Sequence, residues 1–170
     1  MRDRLTLLLA EGLGSGRLRP APGTWGSVVG VLWFLVLLLP GSVFFFGAGV
    51  VVSCVAAVWV CGEAERILGR HDPGSVVLDE IVAIPLCCVS LLYGHGRGGV
   101  GFPDAAGFLR EFPWWTLVVV FAAFRLFDIW KPWPVRQVQG LPGGWGVVAD
   151  DLLAALWVNI VGMLLLAVVK

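Results

Sequence analysis

Acidic residues lie in short clusters beside hydrophobic runs, and this arrangement limits what the chain can fold into. The clusters that flank the runs most closely contain Asp79 and Glu80, Asp128, and Asp150 and Asp151. Hydrophobic residues make up 58% of the chain and charged residues only 14%, against about 25% in ordinary soluble domains. We therefore predict a membrane protein. Because ionised carboxylates are costly near hydrocarbon, their clustering at a membrane edge indicates a functional site.

Five apolar stretches can be recognised, and none is a uniform run of the roughly 20 residues that a spanning helix needs. They cover residues 28–39, 43–61, 81–93, 115–127 and 152–169. We predict an all-α polytopic membrane fold with about five membrane or membrane-associated helices and Gly/Pro-rich cytoplasmic loops. The length of 170 residues, without an evident linker, predicts a single domain over 1–170.

The basic residues predict the orientation, because cytoplasmic flanks of membrane helices carry an excess of Lys and Arg. With the N-terminus inside and five helices, every basic residue except Arg97, Arg110 and Lys170 falls on the cytoplasmic side. Every acidic residue except Asp104 and Glu111 falls on the same side. The clustered acids are therefore expected to face the cytoplasm, unless the helix count is even.

The first candidate motif is the Gly-rich segment 12–27, which contains Arg17 and ends in Pro-Gly-Thr-Trp-Gly-Ser. Glycines let backbone amides turn toward an anion, and a helix starting near Thr24 to Ser27 would direct its positive end to the same place. The segment would suit a phosphate. The alternative is a Gly/Pro turn in which Thr24 or Ser27 caps the helix.

The second motif, residues 72–80, places Asp79 and Glu80 at the start of an apolar helix. Magnesium takes oxygen ligands and keeps several waters, so one or two carboxylates per element are enough. Adjacent helical residues point about 100° apart, so these two need not bind the same ion. The alternative is that the acids, Asp72 above all, only stabilise the helix N-terminus.

The third motif, residues 124–136, contains Arg125, Asp128 and Lys131. Asp128 and Lys131 would share one face if the helix continued that far, although they could equally form a surface ion pair. The fourth motif, residues 142–151, opens the last helix with Asp150 and Asp151. This pair could complete a metal site with the acids of the second motif, or could match the helix dipole.

In these four motifs the chain resembles the phosphatidylglycerophosphatase A family of bacteria. The resemblance runs from about Gly12 to Ala155 in the expected order, and the stretch 125–136 is its most specific part. It implies a magnesium-dependent, multi-pass inner-membrane phosphatase whose active site faces the cytoplasm. The implied reaction removes the terminal phosphate of phosphatidylglycerophosphate and gives phosphatidylglycerol. Membrane lipids are the expected partners, and neither a nucleic acid nor a protein partner is predicted.

On this basis we assign hypothetical roles to the polar residues of the motifs. Magnesium ligands are expected at Asp79, Glu80, Asp150 and Asp151, and Asp128 is a further ligand or base. Phosphate is expected to contact Arg17, Thr24, Ser27, Arg125 and Lys131. Direct attack by water and a phosphoenzyme intermediate both remain open, since both use this set of residues.

Three rival functions deserve comparison. A small transporter of divalent cations or protons also needs membrane acids, but these would lie at mid-depth in several helices. A membrane scaffold gives no reason for charged motifs on one side. A phosphatase for another lipid monoester, such as phosphatidate, is compatible with the motifs because headgroup choice depends on the shape of the pocket.

Overall fold

The computed structural model describes residues 1–97, 99 and 101–168, and these contain helices and turns but no β-strand. The prediction of an all-α fold is confirmed. The elements are α1 (Arg2–Ala10), a 3₁₀ segment (Gly12–Arg17), α2 (Pro22–Leu38), α3 (Val43–Leu68), α4 (Leu78–Cys87), α5 (Val89–Arg97), α6 (Ala105–Glu111), α7 (Trp114–Trp130), α8 (Val135–Val138) and α9 (Gly144–Val168).

All five apolar stretches lie mainly in helices within the described residues, but fewer than five helices can span a membrane alone. Three spans are long and apolar enough: Val43–Leu68, Leu78–Gly96 and Gly144–Val168. Helices α6 and α7 meet at a 95° bend and together could form a fourth span or a re-entrant segment. Helix α2 has 17 residues and is shorter than a typical span. The expected count of about five is therefore approximate.

The outer surfaces of α3 and α9 are apolar and exposed. Phe44 on α3 is 84% exposed and Leu165 on α9 is 61% exposed, and valines and leucines surround them. A soluble protein rarely leaves such continuous apolar faces in water. These helices therefore require a hydrocarbon environment, and the chain is a membrane protein.

The helices alternate in direction, so their charged ends meet at one end of the bundle. Helices α2, α4 and α9 begin there, and α3 and α7 end there, which brings the four motifs together. The opposite end contains Asp104, Arg110 and Glu111, with His95 paired to Glu111 at 2.5 Å. Of the other residues expected at that end, Lys170 and the side chain of Arg97 lie outside the described residues.

Glycines let the helices of the charged end pack closely. A Cβ on Gly26 would lie 2.7 Å from Val77, and one on Gly30 would lie 2.8 Å from the Ile84 side chain. Helix α2 therefore lies directly against α4, as small residues four apart allow in membrane helices. The approach fixes the first turn of α2 beside the acids of α4.

A side-chain amide from α9 closes the break between α4 and α5. Within a continuous helix the Ser90 N–H would donate to the Leu86 carbonyl, four residues earlier. Instead the Ser90 N–H donates to Asn159 Oδ1 at 2.7 Å, and Asn159 Nδ2 donates to the Leu86 carbonyl at 2.7 Å. Both backbone groups are satisfied although the helix is broken after Pro85, as the lipid environment demands.

Candidate active site

Three carboxylates from two helices converge at the charged end. Asp79 and Glu80 occupy the first turn of α4, and Asp151 lies in α9. Each offers an oxygen within 4.8 Å of the other two, and we call this group the carboxylate cluster. Asp79 and Asp151 are 7% and 3% exposed. The sequence left open whether Asp79 and Glu80 could serve one ion; the structure brings both to the same place.

The carboxylate cluster has the properties of a cation site. Asp79 Oδ1, Glu80 Oε2 and Asp151 Oδ2 are buried and have no hydrogen-bond partner among the described residues. Two ionised carboxylates at this separation repel by about 3–4 kcal/mol at an effective dielectric constant of about 20. Protons or a cation must compensate this charge. Hard divalent cations prefer such oxygen ligands, so the donor set fits a divalent metal.

Arg125 links the carboxylate cluster to α7. Its Nη1 lies 2.9 Å from Asp128 and 3.5 Å from Glu80 Oε1. Asp128 in turn adds a negative charge near Asp151. Arg125 thus neutralises part of the negative charge and orients two acids, while the second oxygen of Glu80 stays free of hydrogen bonds.

Lys131 pairs with Asp150 rather than with Asp128. Helix α7 ends at Trp130, and Lys131 follows in a left-handed conformation with φ 48°. Its Nζ lies 2.6 Å from Asp150 Oδ2. Burial opposes the charge of Lys131, but the hydrogen bond and ion pair with Asp150 outweigh it and raise the pKa of the ammonium above its usual value. Lys131 is therefore a cation at neutral pH.

The ion pair with Lys131 separates Asp150 from the three acids of the carboxylate cluster. Asp150 Oδ2 accepts from Lys131, and Asp150 Oδ1 accepts from the Asp151 N–H at 3.1 Å. Asp150 lies outside the group of carboxylates that could share one ion. In this arrangement it positions Lys131 at the edge of the site.

In the Gly-rich segment the backbone lies close to the carboxylate cluster, and the side chain of Ser27 bonds its own helix. Helix α2 begins at Pro22, so Thr24 and Ser27 lie inside it and neither is its N-cap, which is Ala21. Ser27 is fully buried and its hydroxyl donates to the Gly23 carbonyl at 2.9 Å, whereas Thr24 is half-buried near the helix start. A Cβ on Gly23 would collide with Glu80 and with Arg125. The first turn of α2 therefore lies against the carboxylate cluster.

Two contributions escaped sequence reasoning. Glu11, which is 6% exposed, holds Arg17 through contacts of 2.6 and 2.7 Å, so part of the charge of Arg17 is already neutralised. The sequence feature that could have drawn attention to Glu11 is its position directly before the Gly-rich segment. Gly23 has a structural role beside Glu80 that glycine content alone does not reveal.

Asp72 stays exposed, and its N–H donates to Glu65 at 2.7 Å, away from the start of α4.

Comparison with known proteins decides the family. The family model described as Phosphatidylglycerophosphatase A matches residues 8–166, which is nearly the whole chain. The chain belongs to the phosphatidylglycerophosphatase A family. The match includes all four motifs and the carboxylate cluster, so the site described above is built from residues within the family region.

Named relatives cover most of the chain. A Phosphatidylglycerophosphatase A of Haemophilus influenzae is 34% identical over 155 residues, which is 91% of this chain and 84% of that protein. A Phosphatidylglycerophosphatase A of Escherichia coli K12 is 30% identical over 149 residues, 86% of this chain and 75% of that protein.

A third relative has a different name. A Bacteroides thetaiotaomicron protein, provisionally described as a phosphatidylinositol-3-phosphatase, is 35% identical over 159 residues, 90% of this chain and 88% of that protein. No solved structure matches the chain significantly. All three relatives are bacterial and carry the names of phosphatases that act on a lipid phosphate.

Proposed function

We propose that the chain hydrolyses the terminal phosphomonoester of phosphatidylglycerophosphate to phosphatidylglycerol and inorganic phosphate. The observation that carries the proposal is the carboxylate cluster, with three buried and unpartnered oxygens in a chain of the phosphatidylglycerophosphatase A family. The reaction places a lipid phosphate at the membrane surface, where the charged ends of the helices meet.

The cofactor in this proposal is Mg²⁺, held by Asp79, Glu80 and Asp151. When bound, it supplies positive charge that stabilises the transferring phosphoryl group and lowers the pKa of coordinated water. Asp150 belongs to the site through its ion pair with Lys131.

The remaining residues act on the phosphate and on the nucleophile. Lys131, fixed by Asp150, and Arg125, fixed by Asp128, present cations that attract the phosphate oxygens. Asp128, whose charge acts on Asp151 and whose carboxylate is held by Arg125, is the proposed base that takes a proton from attacking water. Thr24, in the first turn of α2, and Arg17, in the segment before it, are assigned to phosphate binding in this proposal. Ser27 supports this turn through its bond to Gly23.

The site faces the cytoplasm of the bacterial inner membrane in this proposal. The distribution of Lys and Arg predicts it, because the basic residues concentrate at the charged end of the bundle. The rival transporter has no support from the family match, and the carboxylates lie at helix ends, whereas an ion path would need them along the depth of the bundle.

The decisive experiment measures phosphate release by the purified, detergent-solubilised protein, with Mg²⁺ and with EDTA. Phosphatidylglycerophosphate, phosphatidate and phosphatidylinositol 3-phosphate are compared at equal acyl composition and equal surface concentration. We expect Mg²⁺-dependent release with the highest kcat/KM for phosphatidylglycerophosphate. No release from any of the three lipids by folded protein contradicts the phosphatase assignment, and a preference for another lipid contradicts the substrate assignment.

Variants of the carboxylate cluster test the metal assignment in the same assay. We expect Asp79→Asn, Glu80→Gln and Asp151→Asn each to lower kcat by about 100-fold or more, as loss of a group stabilising transferred charge does. Asp104→Asn is the matched control, because it removes one carboxylate at the opposite end and asparagine still caps α6. Full activity in all three cluster variants would refute the proposed site.

A further inference from the structure

A polar cavity near the carboxylate cluster is lined by three arginines. It measures about 510 Å³ and is lined by Arg17, Arg19 and Arg70, together with Pro22, Ser75 and neighbouring loop residues. We call it the arginine pocket. Its wall includes the segment that leads from α3 to α4 and the segment that leads into α2.

The charge of the arginine pocket is largely unneutralised. Arg19 and Arg70 form no ion pair within 4 Å of any carboxylate among the described residues, whereas Arg17 is held by Glu11. All three arginines are exposed to the cavity or to solvent. Guanidinium groups bind phosphate oxygens through paired charged hydrogen bonds, so the pocket suits an anionic phosphate.

The first turn of α2 separates the arginine pocket from the carboxylate cluster. Pro22 lines the pocket, and the next residue, Gly23, lies against Glu80 and Arg125. Consecutive Cα atoms are about 3.8 Å apart, so the same turn of α2 borders both sites. On the other side, Ser75 lines the pocket only four residues before Asp79.

Two adjacent sites match the two phosphates of the proposed substrate. Phosphatidylglycerophosphate has a terminal monoester, which reacts, and a phosphodiester, which does not, joined by one glycerol unit. Phosphatidate has only the monoester. We propose that the arginine pocket, through Arg19 and Arg70, binds the phosphodiester of the substrate and thereby selects lipids with two phosphates. This proposal rests on the proposed lipid phosphatase activity.

Kinetics of Arg19→Gln and Arg70→Gln test the pocket. Removing a contact to a part of the substrate that does not react weakens ground-state and transition-state binding equally, so KM rises while kcat stays unchanged. We expect KM for phosphatidylglycerophosphate to rise about tenfold in each variant, the loss typical of one charge-assisted hydrogen bond. Arg66→Gln is the matched control, because Arg66 is exposed near the same end and pairs with Glu63 outside the pocket.

Inhibition by two ligands identifies which phosphate the pocket holds. Phosphatidylglycerol carries the diester alone, and inorganic phosphate resembles the released group. We expect the inhibition constant of phosphatidylglycerol to rise about tenfold in Arg19→Gln and Arg70→Gln, with that of inorganic phosphate unchanged. In Arg66→Gln both constants should equal those of the wild type.

The outcomes separate failure of the pocket from failure of the function. A wild type that releases no phosphate refutes the lipid phosphatase activity and the pocket with it. An active wild type with unaltered KM and unaltered phosphatidylglycerol inhibition in both arginine variants refutes the pocket alone. The pocket is also refuted if the two arginine variants raise the inhibition constants of inorganic phosphate and phosphatidylglycerol by the same factor. In that case the arginines would bind the reacting phosphate.

Discussion

The ammonium of Lys131 lies 2.6 Å from the carboxylate of Asp150, and this ion pair ties the end of α7 to α9. The side chains of Lys131 and Asp150 are 22% and 7% exposed. Asp150 is also the direct neighbour of Asp151 in the carboxylate cluster. The pair therefore connects the residue that presents positive charge with the helix that presents a metal ligand.

Loss of Lys131 alone should destabilise the protein as well as inactivate it. Lys131→Met leaves the carboxylate of Asp150 nearly buried without its partner. Breaking a buried ion pair costs about 3–5 kcal/mol, and the partial exposure of Lys131 places this case near the lower limit. We expect a lower thermal midpoint in detergent and a kcat reduced at least about tenfold.

The double variant Lys131→Met/Asp150→Leu distinguishes these two effects. With both charges removed no carboxylate is stranded, so the thermal midpoint should return close to that of the wild type. Phosphate release should stay low. Recovery of activity together with stability would show that the pair has only a structural role.

Divalent metal should stabilise the fold through the carboxylate cluster. Binding of Mg²⁺ to the folded state alone adds about 2.7 kcal/mol when its concentration is 100 times the Kd. We expect the thermal midpoint of the wild type to rise with Mg²⁺ and fall with EDTA. Asp151→Asn should melt higher than the wild type in EDTA, because one repulsive charge is gone, and should lose the response to Mg²⁺.

Asp104→Asn again serves as the control in this measurement. It should retain the full Mg²⁺ response, because Asp104 lies at the opposite end of the bundle. An equal Mg²⁺ response in Asp151→Asn and the wild type would place the metal elsewhere.

The sequence predicted the helical membrane fold, and it drew attention to three acids that the structure brings together. Acidic residues beside hydrophobic runs are rare, so Asp79, Glu80 and Asp151 stood out without any knowledge of packing. It could not predict how Asp150 and Asp151 would divide their roles. They point about 100° apart on α9, and only the rotation of that helix against α4 decides which one reaches the carboxylate cluster.

Gly23→Ala should impair activity more than stability. The added Cβ meets the ends of two flexible side chains, Glu80 and Arg125, which can move at small cost to the fold. That movement displaces Glu80 from the carboxylate cluster. We expect kcat/KM to fall about tenfold or more, since a misplacement of about 1 Å can cost 100-fold, with a nearly unchanged thermal midpoint. A normal kcat/KM would show that the close approach of α2 has no catalytic effect.

Gly30→Ala should show the opposite pattern. Its Cβ would lie 2.9 Å from Ile84 Cβ and 3.0 Å from the Ile81 carbonyl, so α2 must move away from α4. Overpacking of this kind costs about 1–3 kcal/mol. Gly47→Ala is the matched control, because its Cβ meets nothing within 4 Å. A thermal midpoint of Gly30→Ala as high as that of Gly47→Ala would contradict the tight packing.

The arginine pocket illustrates what sequence reasoning lacks. Arg19 lies in the Gly-rich segment 12–27, whereas Arg70 lies 51 positions later in the loop before the second motif. They share one cavity only because the segments before α2 and α4 pack side by side. Asn159 had a local signal, a polar residue inside an apolar helix, but its partners at Leu86 and Ser90 depend on where α4 breaks.

Asn159→Leu should destabilise the protein without touching the charged residues. It leaves the Leu86 carbonyl and the Ser90 N–H without their partner inside the bundle. Hydrogen bonds between membrane helices contribute about 0.6–1.7 kcal/mol each, so we expect a loss of about 2 kcal/mol. Thermal unfolding in detergent measures it, with the lipid-facing Leu164→Ala as the control. Equal midpoints in both variants would contradict this role.

The amide of Asn159 also ties the break between α4 and α5 to α9. In a continuous helix the Ser90 N–H would pair with the Leu86 carbonyl, and the amide of Asn159 would lose both partners in a region without water. The amide therefore fixes α4, which carries Asp79 and Glu80, against α9, which carries Asp151. The geometry of the carboxylate cluster thus depends in part on a side chain eight positions beyond Asp151 along α9.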